Sequence, residues 1–303
     1  MKTRYLIAAA AILAAACSDN NQAPTAPSAS PSFETGDNGM HGKPEPHVFL
    51  QRGFARPRGG SPDLVFHDGP VLTASKAFAI FWGSTWNTSP GDKISGLETF
   101  FQGFGGSNFA GTNTEYSGTN GKVTTAMTYL GKTIDASQPP SKALTVSQAV
   151  TEACNATGNN PDASAVYFIY TSTGAGHVNY CAWHSWGNCS NGAPVQVAYM
   201  PNIDGIAGCD PGGTSLGHSQ GLAALANVTA HELSEGITDP RGNAWYDNSG
   251  AENADKCAWV FPSDVTLGHT TWRLQGNWSN ARYDAGTGYD NRSGQPGCIN
   301  GNQ

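Results

Sequence analysis

The run Asn227-Val-Thr-Ala-His231-Glu232-Leu-Ser-Glu235-Gly-Ile-Thr-Asp239-Pro240 constrains the fold more than any other stretch of the chain. Leu222, Leu225, Ala226, Thr229, Leu233 and Ile237 recur at helical spacing. They predict one long helix with a single apolar stripe, ended by Pro240. His231, Glu235 and Asp239 are four apart and form a polar row on roughly the opposite side. An imidazole and a carboxylate at i and i+4 project side by side, and such a pair can hold one divalent cation. Glu232, between them, is placed as a general base. The pattern His-Glu-x-x-Glu departs from the His-Glu-x-x-His zinc signature, and the competing reading is a solvated helix face.

Met1–Ala16 reads as an export signal, with Lys2 and Arg4 at the start, an apolar run Leu6–Leu13 and small residues Ala14, Ala15 and Ala16. It is short for a membrane span. Cys17 follows directly, as the acylated cysteine of a bacterial lipoprotein does, although Ala14 stands where such signals favour Leu; simple cleavage after Ala16 is the alternative. Export implies an oxidising compartment, so the six remaining cysteines (Cys154, Cys181, Cys189, Cys209, Cys257 and Cys298) predict three disulfides. Cys181 and Cys189 are near enough in sequence to close a short loop. Charged residues are only 13% of the chain and the net charge is −7 without a basic cluster, which excludes nucleic acid as a partner. The expectation is a monomer in the periplasm, on the cell surface or secreted, touching a membrane only through a lipid on Cys17.

Residues 17–60 are rich in Pro, Ser, Asn and Gly and predict a disordered tether, in which His41 and His47 are incidental. Residues 61–303 form the folded part. Ala77–Trp82, Val123–Leu130, Ala165–Tyr170 and Val195–Met200 predict strands. A helix is expected after Ser89-Pro-Gly-Asp92, with Ile94, Leu97, Phe100, Phe101 and Phe104 as its apolar face. A capping box at Thr145-Val-Ser-Gln148 starts another. Alternating helices and strands, followed by a loop-rich C-terminal part, predict an α+β fold. It is a single disulfide-bonded domain with a central mixed sheet and a long, zincin-like metal-site helix.

Three acids follow that helix: Asp247, Glu252 and Asp255. A zinc held by His231 and Glu235 needs a third protein ligand and an open position for water. Glu252, 21 residues after His231, fits a return of the chain beneath the metal; Asp239, Asp247, Asp255 and His218 are the alternatives. Asp255 and Asp239 are then placed to orient the ligands from behind. Calcium is the alternative ion, with Asp247, Asn248 and Glu252 as hard oxygen donors. His184-Ser185 carries no Gly-x-Ser-x-Gly elbow, so His184 is assigned to the same cleft as an oxyanion donor.

The blocks His67-Asp-Gly-Pro-Val-Leu72, Ala165-Val-Tyr-Phe-Ile-Tyr-Thr-Ser172, Cys181-Ala-Trp-His-Ser185, Thr238-Asp-Pro-Arg-Gly-Asn-Ala-Trp-Tyr246, Glu252-Asn-Ala-Asp-Lys-Cys257 and Gln275-Gly-Asn-Trp-Ser-Asn280 resemble, in this order, the EXORDIUM/phosphate-induced protein 1 family. The resemblance spans roughly Phe66 to Cys298. Plant members are secreted, cell-wall-associated proteins, and this chain resembles a bacterial relative. The resemblance does not carry an activity, since many plant members lack a complete His-Glu-x-x-Glu. The layout of helix and downstream Glu is similar to zincin metallopeptidases with a Glu as third ligand. The resulting expectation is an exported, lipid-anchored zinc metallopeptidase. His231, Glu235 and Glu252 hold Zn2+, and Glu232 takes the proton of its water as that water attacks a peptide bond. The alternative is a non-catalytic cell-surface or cell-wall binding protein of the EXORDIUM type with a structural or calcium-binding acidic cluster. The substrate or partner is a peptide or a cell-wall polymer.

Overall fold

A computed structural model describes residues 44–55 and 62–303; the export signal, Cys17 and most of the expected tether lie outside the described residues. Its frame is a six-stranded mixed sheet. The strands are β1 (His47–Leu50), β2 (Ser75–Trp82), β3 (Met127–Asp135), β4 (Ala165–Thr171), β5 (Tyr180–Asn188) and β6 (Pro194–Met200), in the order β1-β5-β6-β4-β2-β3. Pairs β6/β4, β4/β2 and β2/β3 are parallel, while β5 runs antiparallel to both β6 and β1.

The near-continuous apolar runs of β2, β4 and β6 reflect burial on both faces, as expected of inner parallel strands. Alternation sorts their side chains. Val166, Phe168 and Tyr170 face one core, shared with α1 (Lys93–Phe104) and α3 (Gln220–Thr238). Ala165, Tyr167 and Ile169 face the other, beneath α2 (Val146–Ala156). The result is three layers, with the loop-rich C-terminal part adding to the α1/α3 side. The expected α+β class with a central mixed sheet is therefore the observed one, and α2 starts with the expected capping box of Thr145 and Gln148.

Four features differ from the sequence expectation. Strand β1 lies inside the stretch expected to be a tether: Val48 and Phe49 supply a strand pattern too short to stand out, and pairing with β5 makes it a strand. Strand β5 was not expected, because it buries His184 and Ser185 and so lacks an apolar alternation. Strand β3 begins later than Val123 and runs through Gly131, whose φ of +104° absorbs a slip in pairing with β2. Asp92 does not cap α1 but accepts hydrogen bonds from Ser219 N–H and Oγ–H, bracing the residue that caps α3.

The disulfides are Cys154–Cys189, Cys181–Cys209 and Cys257–Cys298. Cys181 cannot meet Cys189, since a strand holds residues eight apart roughly 26 Å from each other. Three disulfides assign the fold to an oxidising, extracytoplasmic environment. Among the described residues no helix is long and apolar enough to cross a membrane.

The α2 face carries one testable electrostatic feature. Glu152 is 5% exposed. Burial, then the neighbouring Asp135 carboxyl, push its pKa up to about 7. A carboxyl raised in the folded state stabilises most below its unfolded pKa and loses that contribution as pH rises through the folded value. Glu152→Gln is therefore expected to raise Tm at pH 8 and leave it unchanged at pH 4, as read by thermal denaturation at the two pH values.

Candidate metal centre

Helix α3 is buried from Gly221 to Thr238, and Glu232 and Glu235 are both 0% exposed. Its polar row is therefore not a solvated face, and each buried polar group needs a partner. Asn227 Oδ1 accepts from Gln275 N–H, Thr229 pairs with Tyr170 Oη, and Ser234 Oγ accepts from the Asn277 amide. This leaves His231, Glu232 and Glu235.

The register of the sheet brings two more imidazoles to these acids. His47 on β1 is directly across from His184 on β5, and both rings project toward α3, stacked with centroids 5.3 Å apart. His184 Nδ1 is 3.0 Å from Glu232 Oε2 and 3.5 Å from Glu235 Oε2, while its Nε2 is 3.6 Å from Glu252 Oε1. His47 Nε2 is 2.8 Å from Asp255 Oδ2, and its Nδ1 is 3.2 Å from the same Glu252 Oε1. Two groups have ligand atoms within 4.8 Å of one another: His184, Glu232 and Glu235, and His47, Glu235 and Asp255.

The electrostatics follow from burial and crowding. Burial opposes charge on both imidazoles, yet Glu252 and Glu232 hold His184 well above the usual range, and Glu252, Asp255 and Glu235 raise His47 to about 10. Burial pushes Glu232 up, against the pull of His184, and burial with the Asp255 and Glu252 charges pushes Glu235 well up. Four carboxylates against two imidazolium ions leave an excess of two negative charges, which a buried site does not sustain without extra protons or a cation.

His231 is wired differently. The Gln275 carboxamide oxygen accepts from Trp259 N–H, and its Nε2 donates to Ala254 O and to His231 Nδ1. With Gln275 Nε2–H donating to Nδ1, the ring proton falls on Nε2, which lies 3.0 Å from Glu235 Oε1 but makes no hydrogen bond. A ligating imidazole has the opposite arrangement, a lone pair toward the metal and the other N–H donated backward. Phe49 stacks on the ring at 3.8 Å, and burial lowers its pKa to about 4, keeping it neutral. Asp255 N–H also donates to Glu235 Oε1, so one oxygen of Glu235 is held while Oε2 is left without a hydrogen-bond partner. Glu232 Oε1 and Glu252 Oε2 are in the same condition.

The remaining candidates stand elsewhere. Asp239 ends α3 and accepts from Asn243 and Ala244 N–H; burial and Glu252 raise its pKa to about 7. Asp247 caps a turn through Ser249 and Ala251 N–H and pairs with Lys256. His218 Nε2–H donates to Thr271 O, and the ring stacks on Trp272. The residue that sequence reasoning passed over is His47. Its signal was the four-residue run His47-Val-Phe-Leu50, a short strand pattern directly after Pro46. Comparison with family models, curated proteins and solved structures finds no match.

Proposed function

We propose that this chain is an exported metal-dependent hydrolase whose divalent ion is held by His184, Glu232 and Glu235, with zinc the first candidate. The observation that carries the reading is one buried imidazole nitrogen facing two carboxylates, each of which keeps one oxygen without a hydrogen-bond partner. The spacings of 3.0 and 3.5 Å suit it. Atoms bound to a tetrahedral ion at 2.0–2.2 Å lie about 3.4 Å apart. In this reading Glu232 is a ligand rather than a base, and His231 positions Glu235. Glu252 Oε1, 3.6 Å from His184 Nε2, lies behind that ring.

A bound ion supplies Lewis acidity and an activated water. His47, whose side chain is 22% exposed, is the most exposed member of the cluster, and a surface pocket lined by Phe49, Asp255 and Arg292 reaches Asp255. The substrate class in this reading is a peptide or a cell-wall polymer. The depth of burial favours one competing reading, a non-catalytic EXORDIUM-like surface protein in which the ion is structural.

Elemental analysis of the purified chain tests the ligand set. His184→Ala is expected to lose the ion, whereas His231→Gln keeps it while costing about 2 kcal/mol of stability through the lost stacking and hydrogen bond. Retention in His184→Ala, or loss in a folded His231→Gln, sinks the assignment. Chelation that removes the ion without reducing cleavage of a peptide library would leave the structural reading.

A further inference from the structure

We propose that the centre is dinuclear, with a second divalent cation held by His47, Asp255 and Glu235. This rests on the metal centre proposed above and deepens it. The second group has its own imidazole and its own carboxylate, and the ligand atoms of its three residues converge within the same 4.8 Å as those of the first. Glu235 is common to both groups, and its two oxygens face different ways. Oε2 points at His184 Nδ1, while Oε1 lies on the Asp255 side, where it accepts the Asp255 N–H. That is the posture of a bridging carboxylate.

Glu252 supports the same arrangement. Its Oε1 sits between His47 Nδ1 and His184 Nε2, at 3.2 and 3.6 Å. With this oxygen beside one nitrogen of each ring, His47 Nε2 is turned to Asp255 and His184 Nδ1 to Glu232 and Glu235. Each imidazole thus turns one nitrogen to the carboxylates of its own ligand group while its other nitrogen lies beside Glu252, the placement a metal-ligating histidine has. The rings stack 5.3 Å apart, compatible with ions roughly 3.5–4 Å apart in a two-metal site. Two divalent cations also meet the acidity: Glu232, Glu235 and Asp255 supply three carboxylates to share, and Glu252 a fourth beside them. Glu232 Oε1 and Glu235 Oε2 are fully buried without a hydrogen-bond partner, so the shared site keeps oxygens that a cation would satisfy.

The test is a manganese titration of the full exported chain, after chelation, read by electron paramagnetic resonance and by metal content. Two equivalents with an exchange-coupled spectrum are expected for the wild type. His47→Gln, which keeps the backbone pairing of β1, is expected to bind one equivalent with an uncoupled six-line spectrum. One uncoupled equivalent in the wild type overturns the second cation and leaves the first centre standing. No bound manganese or zinc in the wild type overturns both. If His47→Gln is misfolded by circular dichroism, the wild-type coupling alone decides.

Discussion

Glu235→Gln is expected to abolish metal binding and, with it, the difference in stability between metal-loaded and chelated protein. Glu235 is shared by both groups of ligand atoms, so no other single residue touches as much of the centre. The glutamine keeps the volume and an oxygen for Asp255 N–H, but not the charge that offsets a cation. A ligand that binds only the folded state at 1,000 times its dissociation constant stabilises by about 4 kcal/mol, or roughly 10 °C in Tm for a domain of this size. The wild type should show a drop of that order on adding a chelator, and Glu235→Gln none. Without metal the sign reverses. The wild type holds Glu235 protonated or repelled by Asp255 and Glu252, so the neutral variant should match or exceed it. Differential scanning calorimetry with and without chelator reads both comparisons, and a variant that keeps the wild-type metal content sinks the bridging role.

What the sequence made legible followed from periodicity. Helix α3 could be read because its apolar residues repeat at 3.6, and β4 because Ala165–Tyr170 is a short, unbroken apolar run. The alternation that divides β4 between two cores was not visible, since every position is apolar. The site was half legible for the same reason. Glu232, Glu235 and Glu252 were named because helix spacing and sequence distance single them out. His47 was not, because its place depends on an antiparallel register 137 positions away, at His184, fixed only when β1 joins the sheet edge. His231 shows the opposite limit of sequence spacing. Its spacing to Glu235 is ideal for a shared cation, but Gln275 and Phe49, distant in sequence, fix its tautomer and cover its face. Spacing along a helix decides which side chains are neighbours, whereas the groups behind them decide which atom each presents.

Cys257→Ser with Cys298→Ser is expected to cost the fold heavily, and it should weaken the metal centre too. The bridge closes a loop of 41 residues, for which loss of the cross-link frees the unfolded chain by about 4 kcal/mol. In a domain of this length that lowers Tm by roughly 10 °C. Its position adds a functional consequence. Cys257 ends the turn Asp255–Cys257, directly after the segment that presents Glu252 and Asp255, and Cys298 lies on the strand pair Asn277–Trp278/Cys298–Ile299. Trp278 N–H bonds to Asn253 O, and Gln275 just before it holds His231 and Ala254. The disulfide therefore clamps the acidic segment to the strand pair beside the element that positions it. Cys154→Ser with Cys189→Ser offers the control, since that bridge closes a comparable loop of 35 residues on the α2 face, across the sheet from the site. Both double variants should lose similar thermal stability, while only the first loses metal affinity at a temperature where both remain folded. Equal affinity in the two, measured by competition with a chelating dye, would show that the turn carrying Asp255 is held in place without its disulfide.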